Sequence, residues 1–284
     1  MVKVSAIQMS MSEDKASNIS KAKRLVEEAS QNGAKIILLP ELFESLYFCK
    51  DKDTTYFEWA KPLKDNNLIK EFSTLASKLK VVILVSYFEK SDNDFFNSLV
   101  VIDADGSVMD NYRKTHIPDG AGYEEKFYFK DGDSGFKVYD TTYAKIGVGI
   151  CWDQWFCETA RALTLMGAEI IFYPTAIGSE PEVDIDSKEH WQRVQMGHSA
   201  TNTVPVVVAN RYGVEDGKSC SLTFYGSSFI TDYTGAKIVE ASRGKEEILY
   251  AEFDLLEYKK QRDYWGLLKD RREECYSQLV NSKI

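Results

Sequence analysis

The stretch Lys145-Ile-Gly-Val-Gly-Ile-Cys151-Trp152-Asp153 reads as a buried strand that runs straight into a cysteine and then opens a helix. Ile146, Val148 and Ile150 are β-branched and separated by glycines, the pattern of a sheet strand approached closely by other backbone. From Phe156 to Met166 apolar residues recur at helical spacing, and Gly167 follows as a C-terminal cap. A thiol at that junction faces free backbone N–H groups and the positive end of a helix. Both favour the thiolate, the form of sulfur that attacks a carbonyl carbon. The alternative is a structural cysteine, since free Cys is among the most buried residue types. A second chemical group stands at a similar place. Glu41 follows Ile-Ile-Leu-Leu-Pro, where a carboxylate is costly unless it finds partners or turns out to solvent.

A nucleophilic cysteine commonly takes its proton acceptor from histidine. The chain has three histidines. His116 lies in a loop, and His190 and His198 lie about two turns apart on one predicted helix. Their spacing fits no metal motif, and ordinary surface or core histidines account for them. A Cys–His enzyme stays open but without local support.

The elements that must position these groups alternate between strand and helix, which says α/β. Strands are predicted at Val2–Met9, Lys35–Leu39, Val81–Phe88, the Cys151 run, Glu169–Tyr173, Val204–Asn210 and Ile248–Phe253. Hairpins are predicted at Phe95–Ile102 with Val108–Tyr112, and at Gly226–Thr231 with Ala236–Glu240, making the sheet mixed. Helices are predicted from about Ala16 to Asn32, Leu68 to Leu79, after Cys151, and near Lys188 to Asn202. Residues 113–135 read as loop. Glu41, Cys151 and Pro174-Thr175-Ala176 all fall just past strand ends, where open α/β sheets gather their sites.

The 284 residues are 44% hydrophobic, enough to bury a substantial core. With no repeat or linker they read as a single domain, 1–284. No apolar run is long enough to span a membrane, and the N-terminus enters a strand without a secretion-signal layout. The five cysteines, an odd count with no CxxC pair, argue for reduced thiols in a cytoplasmic protein. A net charge of −9 disfavours nucleic acid as a partner and suits cationic ligands.

Leu39-Pro-Glu41-Leu, Tyr112-Arg-Lys114-Thr-His-Ile-Pro and Gly149-Ile-Cys151-Trp-Asp resemble, in this order, the three motifs of the nitrilase (carbon–nitrogen hydrolase) superfamily. The strings Lys114-Thr-His-Ile-Pro-Asp-Gly, Gly122-Tyr-Glu-Glu-Lys-Phe-Tyr-Phe, Cys151-Trp-Asp-Gln-Trp-Phe and Phe172-Tyr-Pro-Thr-Ala-Ile-Gly-Ser-Glu-Pro181 look like its N-carbamoylputrescine amidohydrolase branch. The similarity runs over nearly the whole chain. Cys157 and Ala121 stand where that branch usually has proline, and neither change removes a catalytic group.

The resemblance implies a four-layer αββα sandwich that forms a homodimer or higher homo-oligomer. The tail from about 269 to 284 is expected on a neighbouring subunit. It implies Cys151 as nucleophile, Glu41 as general base and later acid, and Lys114 as stabiliser of the oxyanion together with the Trp152 N–H. A second glutamate helps to orient the lysine. Glu125 is favoured over Glu124 for that place, the latter reading as a solvated loop charge. The implied reaction hydrolyses N-carbamoylputrescine to putrescine, carbon dioxide and ammonia, a step of polyamine biosynthesis, without cofactor or metal. For the small cationic ureido substrate, Glu180 is the first candidate to hold the ammonium and Asp119 the second. Tyr47, Tyr123, Trp152 and Tyr173 are candidates to line the apolar span or add cation–π contact. The competing readings are an amidase for another N-carbamoyl compound or ω-amide, and a catalytically silent scaffold of the same fold.

Overall fold

The computed structural model describes residues 1–281. In chain order the first six-stranded sheet takes β1 (Val2–Gln8), β2 (Ile36–Leu38), β3 (Val82–Ser91), β4 (Asp94–Ile102) and β5 (Tyr112–Arg113). The second takes β6 (Lys137–Asp140), β7 (Lys145–Val148), β8 (Ile170–Pro174) and β9 (Val206–Ala209). A separate hairpin, β10 (Tyr212–Asp216) with β11 (Ser221–Tyr225), comes next. The chain then adds β12 (Phe229–Thr231) and β13 (Lys237–Glu240) to the second sheet and returns β14 (Glu247–Phe253) to the first. The sheet orders are β14-β1-β2-β3-β4-β5 and β13-β12-β9-β8-β7-β6. Both are mixed. In the first, β1, β2 and β3 run parallel and antiparallel partners flank them. In the second, β7, β8 and β9 are the parallel centre.

Alternation along the strands sorts the side chains into layers. Val4, Ala6, Leu38 and Leu84 of the first sheet meet Val148, Phe172, Val207 and Ile230 of the second in one shared core. The opposite face of the first sheet (Ile7, Ile37, Ile83, Val85) packs on α1 (Lys15–Gln31) and α2 (Asn67–Leu79). That of the second (Ile171, Tyr173, Val206, Val208) packs on two later helices, α4 (Cys157–Leu165) and α5 (Lys188–Asn202), which follow the short α3 (Glu125–Tyr128). The result is the expected αββα sandwich. The helices form where the sequence caps them. Asp14 accepts from the Ala16 N–H at the start of α1, and Asn66 accepts from the Leu68 N–H at the start of α2. Past the sandwich come α6 (Leu255–Trp265) and α7 (Ser277–Asn281).

Three expectations need correction. The strand from Phe95 to Ile102 does form a hairpin, but with β3. Asp92 takes a left-handed backbone (φ 52°) and closes a tight turn between Ser91 and Asp94. Past the turn at Gly106 only an isolated bridge at Val108 and the short β5 follow. The helix expected directly after Cys151 is split. A 3₁₀ turn covers Cys151–Trp155, Phe156 is extended, and α4 starts at Cys157. Within the loop expected over residues 113–135, Glu125–Tyr128 is helical. Of the expected tail, residues 282–284 lie outside the described residues, and α7 covers Ser277–Asn281.

The parallel strands β2, β7 and β8 end on one side of the sandwich. The Glu41 N–H donates to the Thr175 carbonyl at 3.4 Å, stitching the two sheets together at those ends.

Candidate active site

Glu41 lies one residue past Pro40 at the end of β2 and is wholly buried. The next residue, Leu42, holds a left-handed backbone (φ 47°), a conformation that costs a non-glycine residue about 1–3 kcal/mol. Neighbours impose it. The buried Arg211 guanidinium donates to the carbonyls of Glu41 (2.7 Å), Leu42 (3.1 Å) and Ser45 (3.2 Å) and is neutralised by Glu215 at 2.8 Å. Ser86 Oγ accepts from the Leu42 N–H at 3.1 Å. The backbone at this corner is therefore pinned from both sides.

The carboxylate of Glu41 has unequal oxygens. Oε1 accepts from Lys114 Nζ at 2.9 Å and from Asn97 Nδ2 at 2.6 Å. Oε2 is buried without a hydrogen-bond partner among the described residues. Lys114 follows β5, and its N–H donates to the Asn97 carbonyl at 2.8 Å. Its ammonium also donates to Glu125 Oε2 at 2.6 Å. Burial opposes that charge, but the Glu125 and Glu41 carboxylates outweigh it and hold the ammonium well above its usual pKa. Glu125 sits at the start of α3, and burial pushes its carboxyl up against the pull of Lys114. Tyr47 donates to Glu125 Oε1 at 2.7 Å. Glu124 instead faces outward to Lys52 at 2.8 Å.

Cys151 stands at the first position of the 3₁₀ turn with φ 43°, a second strained non-glycine residue at a strand end. Its Sγ faces the Ala176 carbonyl at 3.8 Å. The glycine just past the end of β7 is required for space. A Cβ on Gly149 would come within 2.8 Å of the Tyr173 ring. The local backbone favours a thiolate, but the buried surroundings weigh against it. Burial pushes the Cys151 thiol well above its usual range, Glu41 and Glu125 add to the rise, and Lys114 opposes it without prevailing. The turn is too short and the site too acidic for backbone dipoles to reverse this. Cys151 rests protonated and needs a base.

A cavity of about 260 Å³ opens above the sulfur. Cys151 and Glu125 lie in its wall, with Trp152, Trp155, Tyr123, Ala176 and Ile177 as its apolar surfaces. Asp119, Glu180 and Glu182 bring carboxylates to it, and its lining includes no lysine, arginine or histidine among the described residues. Tyr123 spans the cavity side, its hydroxyl donating to the Ser179 carbonyl (3.1 Å) and accepting from the Gly178 N–H (3.0 Å). Burial pushes the half-buried Glu180 carboxyl up. A Cβ on Gly178 would meet the Thr223 carbonyl oxygen at 2.4 Å, so only glycine lets this wall approach β11.

Of the residues expected at the pocket, Glu180, Asp119, Trp152 and Tyr123 line it. Tyr47 and Tyr173 do not. Tyr47 lies behind Glu125, and Tyr173 belongs to the core between the second sheet and α4 and α5. Both are wholly buried, Tyr173 because it stands on β8 facing the helices and Tyr47 because it packs among Tyr123 and Phe224 behind Glu125. Trp155, Asn97 and Arg211 were not singled out from sequence, since each is an unremarkable residue type within an ordinary segment. None of the histidines faces Cys151 in the pocket lining. His116 pairs with Asp153, His190 packs against Trp155, and burial lowers His198 to about 4. Among the described residues no group of three or more His, Cys, Asp or Glu side chains is arranged to hold a metal ion.

Residues 3–263 match the family model of carbon–nitrogen hydrolase. The chain is 54% identical over 280 residues to a citrullinase of Francisella tularensis subsp. tularensis, covering 98% of each chain. It is 51% identical over 285 residues to an N-carbamoylputrescine amidase of Oryza sativa subsp. japonica, covering 98% of this chain and 94% of the other. The crystal structure of a carbon–nitrogen hydrolase from Helicobacter pylori superposes with a TM-score of 0.93 at 37% identity, over 100% of this chain and 99% of that one.

Proposed function

The chain belongs to the carbon–nitrogen hydrolase family, and we propose that it hydrolyses a carbamoylated diamine of the N-carbamoylputrescine type through a cysteine-linked acyl-enzyme. The observation that carries the substrate class is the cavity's charge. Four carboxylates (Asp119, Glu125, Glu180 and Glu182, of which Glu125 is already paired with Lys114) and no basic side chain line it among the described residues, a wall that suits an ammonium and opposes a carboxylate.

In this mechanism Glu41 Oε2, the oxygen left free, takes the Cys151 proton as sulfur attacks the ureido carbon. The oxyanion is held by the Lys114 ammonium and the Trp152 N–H. The C–N bond then breaks, Glu41 returns its proton to the departing nitrogen, and a thioester-like intermediate remains on sulfur. Water deprotonated by Glu41 releases the rest. Lys114 stays charged throughout because two carboxylates flank it. In this reading Glu180 holds the ammonium end of the substrate, with Asp119 as a second acid and Trp152 and Tyr123 along the apolar span, which their position in the cavity lining supports.

A second reading has specific support, the similarity to the Francisella citrullinase. Citrulline offers the same ureido group but ends in a zwitterion, whose carboxylate finds no cation in this wall. Product release from N-carbamoylputrescine, citrulline, a β-ureido acid and an ω-amide decides between them. A kcat/KM for the cationic compound at least tenfold above the rest supports the proposal. Equal or better use of citrulline replaces it.

No helix among the described residues is long and apolar enough to cross a membrane. The five free cysteines support a reducing, cytoplasmic setting. Leu256, Tyr264, Trp265, Leu267 and Leu279 are exposed near the C-terminal helices, which supports self-association through that end. Sedimentation of the Tyr264→Ser/Trp265→Ser variant tests it. A smaller assembly is expected, and an unchanged one removes the assignment.

A further inference from the structure

We infer that Asp153 is a positioning residue, stapling the turn that carries Cys151 to the segment that carries Lys114. The side chain is wholly buried and both of its oxygens are fully used. Oδ2 accepts from the Ile150 N–H at 2.9 Å and from the Tyr112 hydroxyl at 2.7 Å. Oδ1 accepts from the His116 N–H at 2.9 Å and meets His116 Nδ1 at 2.7 Å. Ile150 immediately precedes the nucleophile, while Tyr112 and His116 stand on either side of Lys114.

Ordinary capping explains only one of these bonds. An acid at the third position of a turn often reaches back to the preceding N–H, as Asp153 does with Ile150. The other three come from a segment of the first sheet and serve no cap. They make Asp153 the connection between two strand ends that belong to different sheets. His116 is fixed in turn, its ring stacked on Phe156 with centroids 3.7 Å apart and planes 7° from parallel. Four contacts of this kind need an acceptor-only group. An amide in its place presents an NH₂ to donors that already point there.

The consequence concerns the distance and angle between the Cys151 sulfur and the Lys114 ammonium. Cys151 holds an unfavourable backbone angle that its neighbours must enforce. A misplacement of about 1 Å between a nucleophile and its charge-stabilising partner costs on the order of a hundredfold in rate. Asp153 touches neither reacting group, so it acts through them. The assignment rests on the catalytic reading of Cys151 and Lys114.

The test is a double-mutant cycle between Asp153→Asn and Tyr112→Phe, followed by kcat and KM on N-carbamoylputrescine and by thermal unfolding, with Cys151→Ala as control. We expect Asp153→Asn to lower kcat by about thirtyfold or more with KM changed less than about threefold. Tyr112→Phe should lower kcat by about fivefold, and the double variant should add little to Asp153→Asn alone. Wild-type kcat in folded Asp153→Asn, or strictly multiplicative losses, overturns the staple. If Asp153→Asn does not fold, Tyr112→Phe decides: reduced kcat at constant KM supports the role, and unchanged kcat overturns it. An active Cys151→Ala instead overturns the catalytic reading itself, which separates the two failures.

Discussion

Asn97 Nδ2 lies 2.6 Å from Oε1 of Glu41, the same oxygen that receives the Lys114 ammonium. One oxygen of the carboxylate is thus doubly engaged and the other is bare. In the proposed mechanism the bare oxygen is the one that takes the Cys151 proton.

Removing the amide loosens that arrangement. Asn97→Ala should lower kcat by about ten- to a hundredfold, the worth of a hydrogen bond to a charged group of roughly 1.5–3 kcal/mol. Asn97→Asp is more telling. A new carboxylate beside Glu41 disfavours its ionised form, raising its pKa. The acid limb of the kcat/KM profile should therefore move to higher pH, and an unmoved limb contradicts the assignment of Glu41 as base.

Glu180→Gln tests the recognition of charge apart from the chemistry. Its effect on the cationic ureido compound should be a loss of roughly 2–5 kcal/mol in kcat/KM, as for one partner of a desolvated charge pair. A neutral alkylurea of matching length should lose little. Equal losses on both compounds place Glu180 outside substrate recognition.

His198 makes a prediction about stability. Burial lowers its pKa to about 4, against an ordinary value of 6.5. The folded state therefore binds fewer protons than the unfolded one in that interval. The stability is complete above about pH 6.5 and falls as pH drops toward 4, by on the order of 3 kcal/mol. Denaturant unfolding of His198→Leu across this range should show a flatter pH dependence than the native chain. An identical slope dismisses His198 as the source.

The sequence carried much of this architecture and less of its wiring. The span Lys188–Asn202 was legible to the residue, because a helical run with Trp191, Gln192, Gln195 and Ser199 inward has few alternatives. Glu41 and Cys151 were legible as reactive groups at strand ends, and Lys114 and Glu125 through resemblance. The β10–β11 hairpin was missed, since Tyr212–Asp216 and Ser221–Tyr225 are short and polar on one face. The resting state of Cys151 was legible only through its need for a base, Glu41. Local backbone favours a thiolate, but burial and two acids brought from distant segments decide otherwise. Tyr47 and Tyr173 show the same limit, for aromatic type alone does not separate pocket wall from core. Asn97, Asp153 and Arg211 act through partners far away in sequence, which no local pattern encodes.

The most direct measurement follows the reacting carbon. The protein is mixed with N-carbamoylputrescine isotope-labelled at the ureido carbon, quenched in acid during turnover, and its peptides are weighed. The label should appear on Cys151 in the native chain and on no peptide of Cys151→Ala, which should also lose turnover. Sustained turnover in Cys151→Ala, or the label on another residue, contradicts the account.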